Sequence, residues 1–106
     1  MMNIFDIYIA FVSWGSGGKR RPVLILEESD DSVTAFKITT RYESKSEEIR
    51  ANYFVINDWG QAGLDRQSYV DTNNTVTIPL TAVDSKKPIG TLSAADERRL
   101  VAFIKA

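Results

Sequence analysis

Three consecutive bases stand directly before a proline and a continuous apolar run in the stretch "GSGGKRRPVLIL", residues 15–26. A residue that precedes proline is restricted to extended backbone, so Arg21, before Pro22, should present its side chain in a fixed direction. The next apolar stretch, "VTAFKITT", ends in the hydroxyl residues Thr39 and Thr40. An arginine and a hydroxyl a few ångströms apart can hold a phosphate by hydrogen bonds.

The order of these stretches predicts that they meet. Residues 23–26 form an apolar run typical of a strand buried on both faces, and "ESDDS" after it is typical of a turn. In an antiparallel hairpin the end of the second strand lies beside the start of the first, so we expect Arg21 near Thr39 or Thr40. The alternatives are a solvated basic loop, and threonines that are present because they favour strands.

Other polar and aromatic residues allow two interpretations each. Trp14 and Trp59 each adjoin a glycine in a predicted loop, where they could stack on unpaired nucleotides or pack at the edge of the core. The basic pairs 86–87 and 98–99 are expected to be solvated. The acidic residues of 27–31 lack the spacing of metal ligands, so no metal site is predicted.

Composition excludes several kinds of site. The chain has 106 residues, a length typical of one domain, with no cysteine and no histidine. This removes disulfides, thiolates, the usual general base and the commonest metal ligand. Net charge is −1, so contacts with nucleic acid must come from local clusters of basic residues. The apolar runs are too short for a membrane span and residues 1–12 lack the features of a signal peptide, so we expect a cytoplasmic protein without membrane association.

Periodicity predicts a mainly β fold with a helix at the end. Predicted strands cover residues 4–12, 23–26, 33–40, 49–56, 68–70, 75–80 and 88–92, while "SWGSGGK" and "RYESKSEE" are predicted loops. Ser93 and Asp96 have the spacing of a capping box that starts a helix. Its apolar stripe is predicted to contain Ala95, Leu100, Phe103 and Ile104. Strands first and helix last favour a small, strongly curved antiparallel sheet or barrel covered by a C-terminal helix.

Three stretches together point to a known family. "RP" before an apolar strand, the strand end "ITT", and "IGTLSAADERRLVAFI" at residues 89–104 make the chain resemble the MazF/PemK toxin–antitoxin endoribonucleases over nearly its whole length. The resemblance implies a single toxin domain over residues 1–106, with an SH3-like barrel, and a homodimer. It also implies cleavage of single-stranded RNA through the ribose 2′-hydroxyl, without metal or cofactor, and inhibition by a cognate antitoxin.

The resemblance assigns roles to individual residues. Arg21 would clamp the phosphate charge and is a candidate proton donor, Thr39 would hydrogen-bond a non-bridging oxygen, and the general base is not identified. We place RNA contacts at six further positions: Trp14, Lys19, Arg20, Thr40, Trp59 and Asn73. The three adjacent basic residues are also the expected binding site of the antitoxin.

The sequence departs from the family pattern at two places. The loop before Arg21 lacks the family's glutamate, and "YVDTNNTVTIP" offers Asp71, Asn73 and Asn74 where the family often has an arginine. Arg66 or Lys37 could supply the charge. The alternatives are a relative that binds RNA or an antitoxin without cleavage, and a gyrase poison like CcdB, whose tryptophan–glycine tail has no match here.

Overall fold

The computed structural model describes residues 2–84 and 87–106, so Lys86 of the basic pair lies outside the described residues. One six-stranded sheet has the order β4-β5-β3-β2-β1-β6, with every neighbouring pair antiparallel. The strands are β1 (Asp6–Trp14), β2 (Gly17–Glu28), β3 (Ser32–Thr39), β4 (Tyr53–Val55), β5 (Tyr69–Pro79) and β6 (Gly90–Thr91). The helices are α1 (Glu47–Arg50) and α2 (Ala94–Lys105), with a 3₁₀ turn at Leu80–Ala82. The predicted mainly β fold with a C-terminal helix is confirmed.

The sheet carries a hydrophobic core on each face. Leu24 packs with Phe36, Phe54 and the fully buried Leu100 of α2 on one face. Val23 and Ile25 pack on the other face, in a cluster with Tyr8 and Ala35. Because successive residues of a strand point to opposite faces, the apolar run of β2 serves both clusters. This confirms the prediction that the run is a doubly buried strand.

The prediction of a loop between β1 and β2 over "SWGSGGK" is wrong. β1 extends to Trp14 and β2 begins at Gly17, so the three bases lie within β2 rather than in a loop before it. Trp14 lies opposite Gly17, and a β-carbon on Gly18 would lie 2.6 Å from the ring of Phe11. These glycines leave room for cross-strand aromatic rings, a role that composition alone does not distinguish from flexibility.

The predicted strand over residues 49–56 is wrong in its first half. Residues 47–50 form the short helix α1, capped by Ser46, whose Oγ accepts a hydrogen bond of 3.4 Å from the Ile49 amide. Two glutamates in its first turn favour the helix because they complement its dipole. Only residues 53–55 pair with the sheet, as β4.

The two predicted strands at 68–70 and 75–80 are one strand, β5. Phe36 lies opposite Thr75 but the next residue, Lys37, lies opposite Asp71, so residues 72–74 bulge out of the pairing. The polar bulge interrupts the alternation and divides the sequence signal into two parts. The predicted strand at 88–92 is the two-residue strand β6.

The start of α2 agrees with the prediction in part. Ser93 Oγ accepts a hydrogen bond of 3.1 Å from the Asp96 amide, as predicted. The Asp96 carboxylate is 1% exposed and accepts hydrogen bonds from Asp58 N at 2.8 Å and Arg99 Nη1 at 2.6 Å. It therefore ties the helix to the segment after β4 instead of closing a capping box.

The apolar stripe of α2 is narrower than predicted. Leu100 is buried and Phe103 packs against the same core, but Ala95 and Ile104 are exposed. No helix of residues 2–84 and 87–106 is long and apolar enough to span a membrane.

The segment from residue 57 to residue 68 folds back on the sheet and is fixed at both ends. The Gln67 side chain donates a hydrogen bond of 2.9 Å to the Ile56 carbonyl. In its middle, Gly63 has a φ of +88° and its backbone lies against Ile89 and Gly90, where a β-carbon would overlap the Ile89 carbonyl. The segment is thus held by backbone contacts that only glycine permits.

We expect Gly63→Ala to destabilise the protein by about 2 kcal/mol or more, because it combines a strained positive φ with a steric clash. The measurement is urea unfolding followed by circular dichroism. Gly60→Ala is the matched control, since nothing lies within 4 Å of a β-carbon at Gly60 and its φ is not positive. Equal midpoints for the two variants would contradict this account of the segment.

Candidate functional site

The register of the β2–β3 hairpin brings Arg21 and Thr39 together. Val23 lies opposite Lys37, and extending this pairing by two residues places Arg21 opposite Thr39. The pairing stops beside Pro22, which has no N–H to donate to a neighbouring strand. Beyond it the two strand ends line a cleft of about 210 Å³. The two predicted catalytic residues therefore share one site.

Cations outnumber anions in this cleft. Four basic residues line it, namely Lys19, Arg20, Arg21 and Arg41. One carboxylate, Asp65, and the hydroxyls of Thr39, Thr40 and Ser68 also line it. Such a surface favours an anionic ligand. Across the described ranges, no three acidic side chains are grouped so as to hold a metal ion.

Arg21 is the most constrained of the four bases. Its side chain is half-buried, and its buried Nε has no hydrogen-bond partner among the described residues. Burial lowers the pKa of its guanidinium, because desolvation disfavours the charged form, while the nearby Tyr53 and Asp71 raise the pKa. A buried donor without a partner is unfavourable. A bound anion that accepts a hydrogen bond from Nε would remove that cost.

Thr39 is oriented by the backbone. Its Oγ1 accepts a hydrogen bond of 3.1 Å from the Arg41 amide. Because the oxygen is already an acceptor, the hydroxyl proton remains free to donate into the cleft. Thr40 is exposed and its hydroxyl makes no hydrogen bond with the described residues. This geometry favours Thr39 over Thr40 as a phosphate ligand.

Lys19 and Arg20 differ because side chains alternate along β2. Lys19 shares a face with Arg21, and the charge of Arg21, then desolvation, then the charges of Arg41 and Lys45 lower the pKa of its ammonium. Arg20 borders the cleft, but its guanidinium forms an ion pair with Asp84. The lowered pKa of Lys19 reflects the cluster of like charges around it, which an anionic ligand would relieve.

Three of the predicted RNA contacts do not line the cleft. Trp14 is exposed at the tip of the β1–β2 hairpin, and Trp59 is half-buried against the core that contains Leu100. Asn73 Nδ2 donates to the Ile49 carbonyl at 3.2 Å and to Asp71 Oδ1 at 3.0 Å. Its amide is therefore used within the molecule.

The structure adds residues that the sequence analysis missed. Arg41 and Asp65 line the cleft, and Tyr42 stacks on Tyr69 beside it, with ring centroids 4.5 Å apart. Arg41 follows the strand end "ITT" directly, so its position could have been inferred from the hairpin. Asp65 reaches the cleft only because residues 57–68 fold back, and no local pattern signals that.

Neither residue suggested as a replacement for the family's charges lines the cleft. Lys37 Nζ lies 4.0 Å from Asp71 Oδ2, on the face of the sheet that Arg21 shares. Arg66 Nε lies 3.8 Å from Asp65 Oδ1. The positive charge of the cleft is supplied instead by Arg41 together with β2.

Comparison with known proteins identifies the family of this chain. No protein-family model and no curated protein sequence matches the chain. Solved structures do match, among them the toxin MazF-mt6 of Mycobacterium tuberculosis. It is 31% identical, has a TM-score of 0.69, and aligns over 93% of this chain and 91% of its own. On this identity and coverage, together with a fold and sequence pattern that agree, the chain belongs to the MazF family of toxins.

Proposed function

We propose that this protein is the toxin of a toxin–antitoxin system and an endoribonuclease that cleaves single-stranded RNA. The observation that carries the proposal is the convergence of Arg21 and Thr39 on one cationic cleft in a chain of the MazF family. The nucleophile is the ribose 2′-hydroxyl next to the scissile phosphate. The products are a 2′,3′-cyclic phosphate and a 5′-hydroxyl.

Arg21 and Thr39 stabilise the charge that develops at phosphorus. The Arg21 guanidinium donates to the phosphate oxygens, whose negative charge grows as the 2′-oxygen attacks. Thr39 donates its hydroxyl proton to a non-bridging oxygen. The backbone that carries Arg21 is fixed before substrate binds by its strand and Pro22, and the Thr39 oxygen is held by its bond with the Arg41 amide. Donors that need no reorganisation contribute most to transition-state stabilisation.

An internal nucleophile simplifies what the protein must supply. The 2′-hydroxyl is already attached to the substrate, so the cleft needs only to align it opposite the departing 5′-oxygen. In-line alignment requires the sugar–phosphate backbone to leave A-form geometry, which an unpaired strand permits. This supports single-stranded RNA as the substrate.

The same cleft suits the proposed protein partner. An acidic, partly disordered antitoxin segment that orders on binding would place carboxylates against Arg21, Arg41 and Lys19. Such a segment would block the phosphate site by occupying it. The proposed homodimer rests on membership of the family.

We expect Arg21→Ala to lower cleavage by about 100- to 1,000-fold, because it removes the fixed donor to the developing charge. The measurement is gel-resolved cleavage of a long unstructured RNA in EDTA. Arg21→Lys should fall in between, since it keeps the charge but loses the planar set of donors. Arg98→Ala, which alters an exposed arginine of α2, is the control for a loss of charge. Unchanged cleavage by Arg21→Ala would overturn the site assignment.

We expect Thr39→Val to lower kcat by roughly 10- to 100-fold, because one donor to the phosphorane is lost. Thr39→Ser keeps the hydroxyl and should stay within a few-fold of the wild type. Thr40→Val, at the adjacent position, is the matched control and should have the smaller effect, and thermal melts of all three would exclude unfolding. RNA binding by the wild-type protein without product would instead favour a non-cleaving relative.

A further inference from the structure

We propose that Asp65 and Lys19 transfer the protons of the reaction in this cleft. The Asp65 carboxylate accepts the proton of the attacking 2′-hydroxyl, and the Lys19 ammonium donates a proton to the departing 5′-oxygen. The inference rests on the proposed ribonuclease function and assigns two further residues to it.

The composition of the cleft leaves few candidates for the residues that accept and donate protons. The chain has no histidine, and among the described residues the groups with acid or base chemistry that line the cleft are three arginines, Lys19 and Asp65. Arginine remains protonated under almost any condition, so it is a fixed charge that neither accepts a proton nor readily donates one. The Ser68 hydroxyl donates a hydrogen bond of 2.9 Å to the Arg66 carbonyl. Asp65 is therefore the acceptor and Lys19 the donor that remain.

Asp65 and Lys19 reach the cleft from different segments of the chain. Arg21 on β2 lies opposite Thr39 on β3, and Thr39 pairs with Tyr69 on β5. Lys19 precedes Arg21 by two residues on β2, whereas Asp65 lies in the segment that leads into β5. The entering and leaving oxygens of an in-line displacement lie on opposite sides of phosphorus. The proposal therefore requires a bound RNA to present its 2′-oxygen towards Asp65 and its 5′-oxygen towards Lys19.

Asp65 is highly exposed, whereas Asp71, the carboxylate whose charge acts on Arg21, is held by hydrogen bonds. The Asp65 side chain is 91% exposed, and its ion-pair partner is Arg66 Nε at 3.8 Å. Asp71 Oδ1 accepts hydrogen bonds from the Asn73 amide at 2.9 Å and from Asn73 Nδ2 at 3.0 Å. The other Asp71 oxygen lies 4.0 Å from Lys37 Nζ. Asp71 is thus a structural carboxylate, whereas the highly exposed Asp65 remains accessible to a 2′-hydroxyl.

Lys19 is suited to donate a proton. It forms no ion pair with the described residues, and it shares the face of β2 that carries Arg21. The surrounding cations, Arg21 first, lower the pKa of its ammonium and make it a stronger acid than an ordinary lysine. Arg21 and Arg41, which stay charged, keep the substrate bound after Lys19 has given up its proton.

The proton transfers balance over one turnover. The 2′-oxygen forms a bond to phosphorus as its proton passes to Asp65. The bond from phosphorus to the 5′-oxygen breaks, and that oxygen takes its proton from Lys19. Asp65 is then neutral and acidic, and Lys19 is a neutral amine. Transfer of one proton from Asp65 to Lys19 through water restores both.

Asp65→Asn distinguishes a role of Asp65 as proton acceptor from the effect of its negative charge on RNA binding. Among the described residues it removes the only carboxylate that lines the cleft, so we expect KM for RNA to fall or stay level. Loss of the base should lower kcat by about 100-fold. Asp30→Asn, an exposed carboxylate in the turn between β2 and β3, is the matched control for the change of charge. If Asp65 takes no part in proton transfer, Asp65→Asn will leave kcat unchanged, and the assignment is wrong.

Lys19→Arg tests the acid, because arginine keeps the charge but is a much weaker proton donor. We expect kcat on RNA of natural chemistry to fall about 100-fold, with KM nearly unchanged. On the same RNA with sulfur replacing the scissile 5′-oxygen, the variant should match the wild type, since a thiolate leaves without protonation. Lys105→Arg at the end of α2 is the control.

The outcomes separate this inference from the proposed function. If the wild-type protein is active, two results would overturn the proton-transfer assignment alone. One is an unchanged kcat in Asp65→Asn. The other is an equal loss of kcat in Lys19→Arg on RNA with the natural 5′-oxygen and on RNA with sulfur in its place. Absence of cleavage by the wild-type protein would overturn the proposed ribonuclease and the assignment with it.

Discussion

The antiparallel register of β2, β3 and β5 determines which side chains reach the cleft. A slip of one residue in any of these pairings would turn Arg21 or Thr39 to the opposite face. The register is held by residue size as well as by apolarity. Ala35 faces one core while its neighbour Phe36 faces the other. A slip would force the phenylalanine into a space that fits alanine, and overpacking of that kind is strongly unfavourable. The same interactions therefore pack the core and position the residues of the site.

That packing allows a local arrangement that would be unfavourable by itself. Arg21 is partly desolvated, its Nε has no partner in the part of the chain that the structure describes, and Lys19 and Arg41 add like charge nearby. Each feature lowers stability, and each becomes favourable when an anion enters. Because Arg21 pairs through its backbone with Ala10 of β1 and precedes Pro22, its main chain holds the side chain at the mouth of the cleft. Such departures from local rules are expected at functional sites.

The sequence predicts those features that depend on neighbours along the chain. The β2–β3 hairpin, the doubly buried run after Pro22 and the Ser93 cap are local patterns, and all three are present. The features that were missed depend on contacts between distant segments. The bulge at residues 72–74 divides one strand into two apparent ones. Asp65 reaches the cleft through a fold-back held by Gly63, and a glycine gives the same signal for flexibility and for close packing.

The charge layout explains how a chain of net charge −1 presents a cationic cleft. The acidic residues Glu28, Asp30 and Asp31 lie at or in the turn of the β2–β3 hairpin, while Arg21 and Arg41 lie at its open end. β3 has eight residues, which at about 3.3 Å each separates the two ends by roughly 25 Å. Screening at physiological ionic strength acts over about 8 Å. The acidic turn therefore does not cancel the field at the cleft, and it repels a polyanion that approaches from the wrong end. Net charge is a poor guide to partners when strand length exceeds the screening length.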